Sequence, residues 1–72
     1  MTTKIQQLQS MSIIGNAHDD QNRLDLAHSI IVDSNSDYSD KISALLEIDK
    51  TMGVKPTKLN QETIDDYISA ST

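Results

Sequence analysis

Aliphatic side chains in this chain recur at three- and four-residue steps. That spacing constrains the fold more than any other feature. Leu24, Ala27, Ile30 and Ile31 draw one stripe along a helix. The run Ile30-Ile31-Val32 has strand propensity, but nothing else in the chain offers a strand to pair with it. The expected fold is therefore all-α, a compact bundle of about four short helices.

The helices are separated by clear punctuation. The spacing of Ile5, Leu8 and Met11, followed by Ile13 and Ile14, predicts a first helix over about residues 3–14, with Gly15 as its left-handed stop. A second helix is predicted over about residues 17–33. Asn16 is its cap, and Asp19 and Asp20 sit in its first turn near the positive end of the dipole. Leu26 and Val32 widen its stripe. The loop Asp33-Ser34-Asn35-Ser36-Asp37 consists of residues that favour turns and caps, with Ser36 or Asp37 expected to start the next helix. The third helix, from about Tyr38 to Met52, carries Tyr38, Ile42, Leu45, Leu46, Ile48 and Met52 over a broad arc, so it is the expected centre of the bundle. Gly53 stops it. A connector with Pro56 follows, and the last helix starts near Asn60. Leu59 and Ile64 have the spacing of a hydrophobic staple, and Ile64, Tyr67 and Ile68 supply the buried face.

With 72 residues there is room for a single domain, 1–72. A chain this short sits near the lower limit for folding alone and commonly relies on a disulfide, a metal or a second subunit. Cysteine is absent, which removes disulfides, thiolate metal sites and thiol catalysis. Tyr38 and Tyr67 are the only aromatics. Such a core is marginal, and self-association into a homo-oligomer is the expected way to complete it. No apolar run approaches the ~20 residues of a membrane span, and the opening Met-Thr-Thr-Lys lacks the apolar stretch of a secretory signal. No membrane is expected among the partners, and the cytoplasm is the expected location.

Little in the sequence carries chemistry. His18 and His28 are the only histidines, and Gly15 and Gly53, the only glycines, are accounted for as helix stops. That leaves no glycine-rich turn for an oxyanion hole or a phosphate. The chain is therefore read as a non-enzyme without cofactor. His18, Asp25 and His28 are the one metal candidate. His18 stands about 10 Å from Asp25 along a helix, and the four-residue ligand spacing of helical zinc sites is missing. The expectation is instead a solvent-facing Asp25–His28 pair and no metal.

Two partial resemblances deserve statement. Asp33 to Asp37 resembles the opening of an EF-hand calcium loop, with oxygen ligands at alternate positions. The sixth position is Tyr38 rather than glycine, the twelfth is Ala44 rather than glutamate, and Glu47 lies too far along. The stretch from Ile42 to Ile68 resembles a helix-turn-helix through Ile48, Met52, Gly53, Val54 and Leu59. This resemblance implies a DNA-binding regulator, the alternative reading. Its last helix would be the reading helix, yet it carries Glu62, Asp65 and Asp66, where base and phosphate contacts call for Arg, Lys, Asn or Gln. Nucleic acid is thus a disfavoured partner.

The net charge is −5, and it is unevenly spread. Residues 33–72 hold eight acids against four lysines. Acidity of this kind repels nucleic acid and anionic membranes and favours a basic partner. The expected partner is another protein with a basic surface. The candidate partner-binding residues are Glu47, Glu62, Asp65, Asp66 and Tyr67. The expected function is that of a small helical interaction protein, such as a regulator or an inhibitor.

Overall fold

A computed structural model of the chain describes residues 3–15, 17–55 and 58–71; the side chains of residues 17–19 also lie outside the description. Its described residues form four helices and no strand: α1 (Lys4–Ser10), α2 (Ala17–Val32), α3 (Tyr38–Met52) and α4 (Gln61–Ser71). The all-α expectation holds. No described helix is long and apolar enough to cross a membrane.

Local chemistry sets the ends of each helix. Thr3 opens α1 with a capping box: its Oγ1 accepts the Gln6 N–H at 3.2 Å, and Gln6 Oε1 accepts the Thr3 N–H at 3.0 Å. Asn60 and Thr63 open α4 in the same reciprocal way, at 3.1 and 3.3 Å. At the start of α3, Asp37 takes the cap position with extended backbone, but its side chain makes no cap bond. Gly53 closes α3 at φ 72°, its N–H donating to Lys50 O and the Val54 N–H donating to Asp49 O, the paired bonds of a Schellman motif. A side chain there would meet no neighbour, so only the backbone conformation demands glycine. The Asn16 cap and the Pro56 turn lie outside the described residues.

One expectation about α1 is corrected. The helix ends at Ser10 rather than near residue 14, and Met11 is already extended. The reason lies in the following loop. The Asp20 carboxylate accepts the backbone N–H groups of Ile14 and Gly15, both at 2.9 Å, which fixes this segment away from helical geometry. Gly15 is indeed left-handed, at φ 85°, but it belongs to that loop and not to the end of α1. Ile13 and Ile14 are consequently exposed rather than buried.

Helices α2 and α3 are joined by residues 33–37 and run antiparallel, so the start of α2 meets the end of α3. Each of these two helices packs against all the others, while among the described residues no Cα of α1 lies within 8 Å of one in α4. The centre of the bundle is therefore shared between α2 and α3. The core comprises Leu8, Ala27, Ile30, Ile31, Ala44, Leu45 and Ile64, with Ile5, Leu26, Ile42, Ile48, Leu59, Tyr67 and Ile68 packed around it. Leu59 and Ile64 reach this same cluster, as a staple should. The buried arc of α3 is narrower than the sequence pattern implies. Tyr38 and Met52, at its two ends, are 51% and 65% exposed. Val32, at the end of α2, is exposed as well. The radius of gyration is 11.5 Å, close to the roughly 11 Å of a compact chain of this length.

Candidate functional site

A site must be built from side chains that the fold does not already use. Helix geometry separates the two groups on α4. At about 100° per residue, Glu62, Asp65 and Asp66 fall within an arc of about 100°. Ile64, Tyr67 and Ile68 fall on the opposite side. The structure follows this division. Ile64 is buried and Tyr67 and Ile68 pack against the core, whereas Glu62, Asp65 and Asp66 are exposed. Glu62 stands in the first turn, where the positive helix end favours a carboxylate. Asp65 accepts a hydrogen bond from Gln61 Nε2 at 2.9 Å. Both ion pairs among the described residues involve Glu47, so none engages these three acids.

Tyr67 is half-buried and its hydroxyl is committed. It lies 2.8 Å from His28 Nδ1, with the two rings 5.7 Å apart and tilted by 54°. Burial raises the phenol above its ordinary range, with a side-chain hydrogen bond from Ser71 opposing. This contact also corrects the expected Asp25–His28 pair. His28 faces α4 and is half-buried, and Asp25 stays exposed, accepting from Gln21 Nε2 at 2.8 Å.

Glu47 does not belong to the acidic face. It is buried, and its Oε2 lies 2.5 Å from Nη2 of Arg23, which is itself buried. Lys50 Nζ approaches the other oxygen at 3.6 Å. The Arg23 guanidinium is the polar hub of the fold. Nε donates to Thr51 Oγ1 at 2.8 Å, and Nη1 donates to Leu8 O at 3.0 Å and also to Met11 O. Thr51 in turn donates to the Glu47 carbonyl at 2.7 Å. One side chain thus donates to two carbonyls at the end of α1, of which that of Leu8 also accepts the Met11 N–H, and neutralises a carboxylate on α3. No buried side-chain polar atom among the described residues lacks a partner.

Sequence reasoning passed over this hub, although a signal for it exists. On α2 the core stripe continues backwards through Arg23 and Asp20, which share an arc of about 100° with Ala27, Ile30 and Ile31. On α3, Ala44, Glu47, Ile48 and Thr51 share a similar arc. Charged residues at core positions of two helices are to be read as partners.

The remaining candidates are quickly placed. The side chain of His18 lies outside the described residues, and no group of three His, Asp or Glu among those described could hold a metal ion. Asp33 is engaged in its own turn, its Oδ1 accepting the Asn35 N–H at 2.9 Å and its carbonyl the Ser36 N–H at 3.1 Å. Residues 53–60 separate α3 from α4, more than the about three- or four-residue turn of a helix-turn-helix. An open cleft of about 290 Å³ lies between the start of α2 and the end of α3, lined by Gly15, Asp20, Leu24, Thr51 and Met52. No protein-family model, curated protein or solved structure matches the chain.

Proposed function

We propose that this chain is a small, non-catalytic helical interaction module that binds a protein with a basic surface through the outer side of α4. The observation carrying this reading is the division of labour along that helix. Ile64, Tyr67 and Ile68 face the bundle, while Glu62, Asp65 and Asp66 are exposed and unpaired with any described cation. Their charge is available to a partner at no cost to the fold. A concentrated like-charge face speeds encounter with a complementary surface and selects against partners of the wrong sign. Glu47, spent on Arg23, is not part of this surface, and Tyr67 contributes only its exposed edge. The proposal extends to action as a regulator or inhibitor in the cytoplasm. Self-association belongs to the same proposal, because the core contains few large side chains and Ile14 and Met52 are 60% and 65% exposed.

The test is affinity capture from the cells that make the protein, comparing the natural chain with the triple variant E62Q/D65N/D66N. A basic partner held at low salt, released as salt rises, and missing with the variant is the expected result. Equal recovery by both proteins would falsify the acidic-face reading. Light scattering across a concentration series checks self-association, and a strict monomer at the highest concentration removes that part.

A further inference from the structure

We draw no further inference here: the strongest candidate, the open cleft between the start of α2 and the end of α3 lined by Leu24 and Met52, is an unpartnered apolar patch, and nothing in the structure shows what covers it.

Discussion

Glu47 on α3 and Glu62 on α4 are the same side chain in opposite circumstances. Glu47 points into the bundle, where Arg23 holds it and Thr51 shares the same guanidinium. Glu62 points out from the first turn of its helix and is exposed. The difference extends to the regions around them. Where α1, α2 and α3 meet, the chain is fastened by a buried charged network. The seam of α4 is fastened by aliphatic packing and by the side-chain hydrogen bond between His28 and Tyr67. A buried network tolerates no lost member, because each deletion strands a partner. An apolar seam weakens in proportion to the surface removed. The network consumes Glu47, whereas the packed seam of α4 makes no use of Glu62.

The largest expected effect breaks the first region. Arg23→Met leaves Glu47 without its buried cation and the Met11 carbonyl without the guanidinium, while the Leu8 carbonyl keeps only the Met11 N–H. Stranding one member of a buried ion pair costs about 3–5 kcal/mol. A chain of 72 residues is expected to hold roughly 4–11 kcal/mol in total, so the variant should be largely unfolded or close to it. Urea titration followed by circular dichroism measures this. The double variant R23M/E47M should recover part of the loss, since no charge is then stranded. The residue left unrecovered, about 1–3 kcal/mol, reports the clasp on the α1 carbonyls. A cost below about 1 kcal/mol for Arg23→Met would mean that the joint is not a buried network, and the contrast with α4 would collapse.

Truncating the anchor of the other region comes next. Ile64 is the fully buried side chain of α4, and Ile64→Ala should cost about 2–4 kcal/mol. Because the backbone of α4 approaches α2 and α3 but not α1, the loss should fall on α4 first. Hydrogen exchange is the sharp readout. Amides of α4 should lose protection well before those of α2 and α3. Uniform loss over all helices would show one cooperative unit and no separate seam.

Much of this contrast was legible in the residues, and the part that was not has a physical reason. The stripe Ala27, Ile30 and Ile31, the stop at Gly53 and the staple of Leu59 and Ile64 are local patterns, and each appears where periodicity and capping place it. The exposed side of α4 follows from the same periodicity. Glu47 was misplaced because acidic residues were counted by sign rather than by helical position. Its partner stands 24 residues away, a distance no local rule spans. The end of α1 was misplaced for a related reason. Asp20 reads as an acid suited to a helix start, yet its carboxylate is used on the preceding loop, where it decides the path of Ile14 and Gly15. Long-range polar pairing, unlike hydrophobic period, leaves only an indirect trace: a charge at a core position.

A smaller effect tests how far the seam of α4 depends on the link between His28 and Tyr67. Tyr67→Phe removes the hydroxyl but keeps the ring, and should cost about 0.5–1.5 kcal/mol. It carries a pH signature with a definite sign. Burial raises the folded-state phenol above its ordinary value, with the Ser71 hydrogen bond opposing, so the protonated form is the one the fold prefers. Its contribution is complete below the unfolded value of about 10 and is lost as pH rises through the folded value. Thermal midpoints of the natural chain should therefore fall above about pH 10, and Tyr67→Phe should lessen that fall. An identical alkaline slope in both proteins would place the phenol in water.

The smallest effect on stability is the most informative for function. Neutralising Glu62, Asp65 and Asp66 takes the net charge from −5 to −2, which relieves repulsion across the chain. The change also removes a carboxylate from the first turn of α4, where the helix dipole favours it by about 0.3–1 kcal/mol. The two terms oppose each other, and surface substitutions away from buried groups stay within about 0.5 kcal/mol. The triple variant should consequently melt within experimental scatter of the natural chain while losing its basic partner. A drop of several kcal/mol would mean these acids support the fold as Glu47 does, and lost binding would then say nothing about recognition. An unchanged melt makes lost binding a property of the face itself, because Ile64, Tyr67 and Ile68, which pack α4 against the core, lie on the other side of the helix.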